Sequence, residues 1–406
     1  MSRGSIGWNT KNLSQTLILA QQSSRPVSSG NDNGGKTMAI VQERYKVSPY
    51  LLFFLLQSSQ VGTGILNFQT KIATGAGQDA WVSVLFVGLS LQVLLFMGLI
   101  VIKNSSGENL ASFHIDVFGK FIGKTLNVGL VFYFLLTSFL SLYNYVDLLQ
   151  TFGFERIPAW ELTFGICLVL YYIVLGGFRV VTGVAFWGVV LPLVFIPPFL
   201  ITLQYLELEN IMPFFNHGVK DYVISGKESI FMFMGFECVF IYYPFIKKGD
   251  KTAKWAHLGL LATTLLYFVL TILTFLYYTQ GKLLRSQWAT LTMIKVISFT
   301  IVESFEFIFI FVFFIVIVSS GCILLWSATR TLKISFNFKP SWSLFGILLA
   351  FFLLNIGLEN IMYGRKLNGI SSYIGLFFLY FYIPFLFIVS LVKKRIGRKR
   401  GGSEAT

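Results

Sequence analysis

The sequence predicts an all-α polytopic membrane protein of ten transmembrane helices, arranged as two inverted halves of five with broken first and sixth helices. Three observations predict this class. The 406 residues are 55% hydrophobic and 12% charged, far from the average of soluble proteins. Apolar runs of about 18 residues or more, each long enough to cross a bilayer, recur along most of the chain. Glycines interrupt the first and sixth runs at matching places, which is typical of inverted-repeat transporters.

The apolar runs define ten membrane spans joined mostly by short connections. We place them at 49–70, 80–102, 126–150, 160–176, 183–205, 227–246, 255–278, 304–329, 342–358 and 371–392. Prolines in the fifth span predict a bent helix, because proline lacks a backbone donor and disrupts the preceding turn. The outer connection 279–303 contains a partly apolar segment, Ala289 to Glu303. Two interpretations of this segment stay open: a lid helix over the site, or an interfacial segment.

The net charge of +14 follows the membrane topology. If the N-terminus is cytoplasmic, most Lys and Arg residues fall on the inner side, as the positive-inside rule requires. This predicts cytoplasmic termini and argues against nucleic-acid binding. The basic cluster from Lys393 to Arg400 follows the last span, where it meets anionic lipid.

Composition divides the chain into a membrane domain and two tails. Residues 1–44 form a cytoplasmic tail, which we predict to be disordered because it lacks a sustained apolar stretch. Residues 45–395 form the membrane domain, and 396–406 form a basic cytoplasmic tail. No metal, cofactor or enzymatic motif is predicted, since the three cysteines lie in different spans and the three histidines lie in loops or at a span edge.

The first interrupted span reads Gly62-Thr63-Gly64-Ile65. Small residues can serve close helix packing, but that motif prefers a spacing of four. Glycines two apart instead allow the helix to unwind, which frees amide groups at the start of its second half. Such amides, with a helix dipole behind them, suit a carboxylate.

The sixth span contains Gly235-Phe236-Glu237, with a carboxylate near the membrane midplane. An ionised carboxylate there costs on the order of 3 kcal/mol, so it must face a cavity, find a partner or be protonated. Glu237 is therefore a candidate partner for a ligand ammonium group, a proton carrier or a gating contact. The structural alternative is a buried acid that accepts hydrogen bonds from the freed backbone amides.

Two further groups of polar side chains belong to the candidate site. Tyr143, in the third span, could turn its hydroxyl toward a ligand between the breaks. Ser319 and Ser320, in the inner half of the eighth span, could bind a cation together with freed carbonyls of the first span. Serines also hydrogen-bond to their own helix, and the sequence leaves both roles open.

These motifs carry a family resemblance. GTGIL at 62–66 and FMGFE at 233–237, with YKVSP at 45–49, QDAW at 78–81, KKGDKTAKWAHLGLL at 247–261 and IVESFEFIF at 301–309, resemble the amino acid–polyamine–organocation superfamily. More narrowly, the chain resembles the permease-like B subunit of bacterial spore germinant receptors. The likeness covers roughly residues 45–395.

The resemblance implies a leucine-transporter-like fold and a germinant pocket lined by Gly62 to Ile65 and Gly235 to Glu237. It implies a sensing subunit in the inner spore membrane that works with an A subunit and a lipoprotein C subunit. The expected ligand is a small nutrient, in the first place an L-amino acid. The alternative is a proton- or sodium-coupled amino-acid transporter of the same fold.

Overall fold

The regular secondary structure of the described residues is helical, apart from an isolated parallel bridge between Val47 and Ile246. In the computed structural model, the described residues are 41–153, 156–249, 252–295, 305–357 and 361–403. Residues 1–40 of the predicted N-terminal tail and the last three residues of the C-terminal tail lie outside these ranges. The same holds for the whole 296–304 segment, which includes Glu303.

The α-helices vary widely in length because glycines and prolines divide several spans. They are α1 (Leu51–Gln60), α2 (Phe68–Ala76), α3 (Ala80–Lys103), α4 (Leu110–Phe152), α5 (Ala159–Leu175), α6 (Phe178–Val190), α7 (Ile196–Phe199), α8 (Val219–Phe233), α9 (Val239–Tyr242), α10 (Thr252–Tyr277), α11 (Gln280–Arg285), α12 (Ala289–Ile294), α13 (Phe305–Phe336), α14 (Pro340–Gly357), α15 (Ile361–Phe377) and α16 (Ile383–Ser403).

Short 3-10 helices and one π-helical turn connect or interrupt these α-helices. The 3-10 segments are Glu43–Tyr45, Thr63–Leu66, Gly77–Asp79, Leu191–Phe195, Leu200–Tyr205, Leu208–Ile211, Phe236–Cys238 and Tyr243–Phe245. The π-helical turn is Phe378–Tyr382, between α15 and α16.

Seven helical stretches of the described chain are long and apolar enough to cross a membrane. They are Phe68–Lys103, Leu110–Phe152, Phe178–Tyr205, Thr252–Tyr277, Phe307–Phe336, Pro340–Gly357 and Lys366–Arg395. The predicted first and sixth spans are missing from this set because breaks divide each into pieces. The predicted fourth span is missing because α5 has 17 residues, slightly short of the usual crossing length.

Two predicted boundaries need correction. The third span was predicted to begin at residue 126, but α4 already begins at Leu110 and contains one non-helical residue, Gly119, at φ 78° and ψ 176°. In the fifth span, the regular helix stops at Val190, and Leu191–Tyr205 continues as 3-10 turns around α7. The prolines predicted this irregularity, because each removes a backbone donor from the helix.

The two broken spans lie at the centre of the bundle. Helix α1 packs against α6, α10 and α13, and α2 packs against α8. Helices α5 and α14 pack against each other at the periphery, and α14 is mostly exposed in its apolar window. Exposed apolar side chains on peripheral helices face the lipid, so the polar groups of the breaks are enclosed by protein.

Candidate ligand-binding site

The first span is interrupted where the sequence predicted. Helix α1 ends at Gln60, Val61 is extended at φ −81° and ψ 108°, and Gly62 is extended at φ −131° and ψ −159°. A 3-10 turn, Thr63–Leu66, follows before α2 begins. The first amides of such a turn have no partner within it, so they are available to a ligand.

The sixth span is interrupted in the same manner. Helix α8 ends at Phe233, Met234 is extended, and Gly235 has φ +115°. Residues with a side chain rarely adopt that backbone conformation, whereas glycine does so readily. The chain then turns through the 3-10 segment Phe236–Cys238 into α9.

The two breaks touch each other at Gly235. A Cβ atom at this position would lie 2.1 Å from the carbonyl oxygen of Ser59, well inside van der Waals contact. The Gln60 side chain reinforces the approach, because its Nε2 donates to the carbonyl oxygen of Phe233 at 3.3 Å. The absence of a side chain at Gly235 therefore allows the two breaks to meet.

Tyr267 of α10 links the ends of both broken helices. Its hydroxyl lies 3.1 Å from the carbonyl oxygen of Gln60 and 2.9 Å from that of Met232. Both carbonyls lack helical partners because their helices stop there. Sequence reasoning missed Tyr267, since one tyrosine in an apolar span gives no signal of which carbonyls it reaches.

Glu237 is fully buried and bonded within the protein. Its Oε1 accepts from the Tyr133 hydroxyl at 2.7 Å, and its Oε2 accepts from the Gly235 amide at 2.7 Å. The Tyr133 ring stacks on Phe378 of the π-helical turn, with centroids 4.7 Å apart. Glu237 therefore connects the second break to α4, in the arrangement expected for a structural acid, and it does not line the cavity at the breaks.

A small cavity of about 30 Å³ lies between the breaks, with room for about one water molecule. Four predicted residues line it, namely Gly62, Thr63, Gly64 and Ser320. The lining also contains Thr137, Ser141 and Phe231, which were missed because they come from segments that the sequence gave no reason to join. The other lining residues flank the breaks: Ser59, Gln60, Met232 and Met234.

Three further predicted residues, Ile65, Phe236 and Tyr143, lie outside the lining of this cavity. The carbonyl oxygen of Ile65 accepts from Thr290 at 3.1 Å, and Phe236 is buried with its ring 6.1 Å from that of Phe240. Tyr143 lines a different, larger cavity.

The serines of the eighth span bond to the first span. The Ser58 hydroxyl donates to Ser319 Oγ at 2.8 Å, and Ser319 donates to the carbonyl oxygen of Val316 at 2.8 Å. Ser320 donates to the carbonyl oxygen of Ser59 at 3.3 Å. Ser319 thus hydrogen-bonds to its own helix, and Ser320 hydrogen-bonds to a carbonyl near the end of α1, so the geometry is compatible with both interpretations of these serines.

A larger cavity of about 500 Å³ lies beyond the breaks, beside α2, and we name it the outer cavity after the predicted topology. Its lining carries charges of both signs, from Lys71, Asp147, Glu228 and Arg285. Lys71 was missed because it directly follows the predicted end of the first span, whereas the helix extends to Ala76.

The ring of Phe231 separates the two cavities. Lys71 Nζ, in the outer cavity, lies 4.8 Å from the Phe231 ring centroid. On the other side, a Cβ at Gly64 would lie 3.7 Å from Phe231 Cε1, and Phe231 also lines the small cavity. The Phe231 ring thus lies between Lys71 and the first break.

The outer segment after α10 covers the first break. Helix α12 is largely buried, and its Thr290 donates to the Ile65 carbonyl oxygen while accepting from Gln69 Nε2 at 2.7 Å. Of the two interpretations of the 289–303 segment, this burial favours the lid helix for Ala289–Ile294. Residues 296–303 of the segment lie outside the described residues.

The fold defines the class of protein. It is similar to a Na⁺-coupled sialic acid symporter in a substrate-bound outward-open state, with a TM-score of 0.60, 12% identity, and coverage of 82% of this chain and 79% of that chain. It is also similar to MhsT in complex with L-phenylalanine, with a TM-score of 0.55, 13% identity, and coverage of 85% and 88%. The chain therefore has the fold of leucine-transporter-like membrane proteins.

Sequence comparisons identify the family. The family described as "Spore germination protein" matches residues 46–363. Spore germination protein GerQB of Bacillus cereus is 35% identical over 87% of this chain and 98% of its own length. Spore germination protein B2 of Bacillus subtilis (strain 168) is 22% identical over 88% and 98%. The chain belongs to this family of permease-like germination proteins, as its resemblance to receptor B subunits predicted, and the class is not enzymatic.

Proposed function

We propose that this protein is the germinant-sensing B subunit of a spore germination receptor and binds an L-amino acid between its broken helices. The observation that carries the proposal is the pair of breaks that meet at Gly235, with a cavity of mixed charge directly outside them. Breaks of this kind are where transporters of related architecture bind small polar ligands.

The outer cavity has the charge pattern that an amino acid requires. Lys71 and Arg285 can pair with its carboxylate, while Asp147 and Glu228 can pair with its ammonium group. The cavity at the breaks is too small for an amino acid in this conformation. We infer that the ligand first occupies the outer cavity and reaches the breaks when Phe231 moves aside.

Full binding would place the carboxylate at the free amides of Thr63 and Gly64, at the positive end of the first span's second half. Gly62, Ile65, Gly235, Phe236 and Glu237 would shape the remainder of the pocket, and Tyr143 would contact the ligand on its way in.

In this proposal, α1 with α2 and α8 with α9 are the first and sixth of ten spans in a five-plus-five inverted repeat. Both termini are cytoplasmic, in accordance with the excess of Lys and Arg on that side. The membrane is the inner spore membrane, as the receptor family implies.

Signalling requires that the ligand bind one arrangement of the bundle more tightly than another. Closure of the breaks around an amino acid would shift Phe231 and the helices that pack on the first span. The receptor A and C subunits would respond to this shift through their contacts with this chain.

The alternative is a proton- or sodium-coupled amino-acid transporter. The observation that favours it is the proximity of Ser319 and Ser320 to the first break, together with the likeness to a Na⁺-coupled symporter. Amino-acid uptake into proteoliposomes that contain this chain without other subunits would support the transporter. Binding without uptake would support the sensor.

The test is equilibrium binding of radiolabelled L-amino acids to the protein, purified alone and together with A and C subunits. We expect saturable binding that weakens at least about tenfold in Lys71→Gln, since a charge-assisted hydrogen bond is lost. Lys282→Gln removes the same charge from an exposed position of α11 outside the cavity lining and should bind as the wild type does. Absence of saturable binding in both preparations, or equal binding by the two variants, would contradict the proposal.

A further inference from the structure

A second large cavity lies at the opposite end of the spans. Its volume is about 690 Å³, and it is bounded by the residues that precede α1, the loop between α5 and α6, the end of the sixth span and the end of α13. Tyr45, which precedes the first span, lines this cavity, whereas Lys71 of α2 lines the outer cavity. By the positive-inside distribution, this end is cytoplasmic.

The cavity is cationic. Four basic side chains line it: Arg44, Arg179, Arg330 and Lys333. No Asp or Glu is among the described residues that line it. Where the chain is described, the ion pairs involve other cations, and none of the carboxylates described there is paired with Arg179, Arg330 or Lys333. Several positive charges around one cavity repel one another, and a bound anion would reduce that repulsion.

An aromatic ring positions the Arg330 side chain in the wall of this cavity. Its guanidinium lies 5.0 Å from the ring centroid of Phe245, and Phe245 in turn packs against Trp326 with centroids 4.9 Å apart. A guanidinium fixed by an aromatic ring keeps its planar set of donors available for phosphate oxygens. The cation is therefore preorganised, unlike a lysine on a free surface.

One wall of the cavity is apolar and belongs to peripheral helices. Leu175 ends α5, and Pro340 and Leu344 lie in the first turns of α14. Nearby, Phe338 and Trp342 are exposed to 55% and 71%, as expected for side chains that contact lipid. A ligand in this cavity thus meets positive charge at one end and acyl-chain surroundings at the other.

We propose that this cavity binds the phosphate of an anionic phospholipid from the cytoplasmic leaflet, with its acyl chains along α5 and α14. Basic pockets between helices at this depth are suited to such headgroups. The bound lipid would bridge Arg44, before the first span, and Arg330, beside the end of the sixth span. These two segments are already joined, since the Val47 amide donates to the Phe245 carbonyl oxygen at 2.9 Å. This site is independent of the proposed germinant pocket.

The experiment measures lipid binding to the full-length protein by native mass spectrometry and by thermal unfolding in detergent. Phosphatidylglycerol, phosphatidylcholine and soluble glycerol phosphate are added in separate arms. We expect phosphatidylglycerol alone to bind and to raise the unfolding midpoint. We expect the double variant Arg330→Gln/Lys333→Gln to bind it at least about tenfold more weakly.

Lys103→Gln/Lys254→Gln is the matched control, because it removes two charges from exposed positions of α3 and α10 outside the lining of this cavity and should leave binding unchanged. Arg179→Gln, at an exposed position, repeats the test without altering a partly buried side chain and should also weaken binding. Equal binding of phosphatidylcholine, undiminished binding by Arg179→Gln and the double variant, or a loss confined to the control would overturn the proposal. If soluble glycerol phosphate raised the unfolding midpoint as much as phosphatidylglycerol does, the proposal that the phosphate belongs to a lipid would be wrong.

Discussion

Replacement of Gly235 by alanine tests whether contact between the two breaks holds the site together. The new Cβ would lie 2.1 Å from the Ser59 carbonyl oxygen, whereas real Cβ contacts essentially never fall below 3.0 Å. The breaks must therefore separate by roughly 1 Å, and the bonds that Tyr267 and Gln60 make across them must lengthen.

The expected cost has two sources. A side chain at φ +115° costs about 1–3 kcal/mol, and forcing extra volume into a packed interior costs about 1–3 kcal/mol. Gly235→Ala should therefore destabilise the protein by about 2–6 kcal/mol, a large part of the stability of a typical protein. Loss of ligand response should accompany it, because the pocket is built from the displaced backbone.

The assay is thermal unfolding of the purified protein in detergent, with germination of spores as the functional measurement. Gly346→Ala in α14 is the matched control, since its Cβ would have no neighbour within 4 Å, and we expect no loss of stability there. An unfolding midpoint of Gly235→Ala within the error of the wild type, with a normal germinant response, would refute the reasoning.

Three further variants test separate contacts. Gly64→Ala places a Cβ at an ordinary 3.7 Å from Phe231 Cε1, so stability should change by less than about 1 kcal/mol while the germinant dose–response weakens; an unchanged dose–response would contradict this. Tyr267→Phe removes the donor of two break carbonyls and should cost about 1–2 kcal/mol, measured by unfolding; an equal midpoint would show that other donors serve these carbonyls. Tyr133 and Gly235 both donate hydrogen bonds to the Glu237 carboxylate, which suits its ionised form. In Glu237→Gln, the new amide would turn a hydrogen toward one of these two donors. Wild-type germination should therefore fall on acidification, and the variant should respond weakly with little pH dependence; parallel pH profiles would exclude Glu237 as the titrating group.

Much of the fold was predictable because its causes are local in the chain. Apolar runs predicted where helices cross the membrane, and prolines predicted the irregular fifth span after Val190. The glycine at 62 and the glycine at 235 predicted both breaks within a few residues. In each case a short stretch of residues carries the physical cause, namely the absence of a side chain, of a donor or of polar groups.

The count of membrane-crossing helices was less predictable. Counting apolar runs does not tell whether a run remains one continuous helix, and the breaks leave seven long spans among the described residues. The early start of α4 at Leu110 also escaped prediction, because its first turns are less apolar than a membrane span.

Partners across the bundle could not be read from the sequence. Tyr133 and Glu237 are 104 positions apart, and Ser58 and Ser319 are 261 apart. Their contacts depend on how each helix is rotated and how deeply it packs, which no local pattern encodes. The sequence therefore marked where the backbone opens at Gly62 and Gly235. Helix packing alone joined those openings, turned Glu237 away from the small cavity and set Phe231 between that cavity and Lys71.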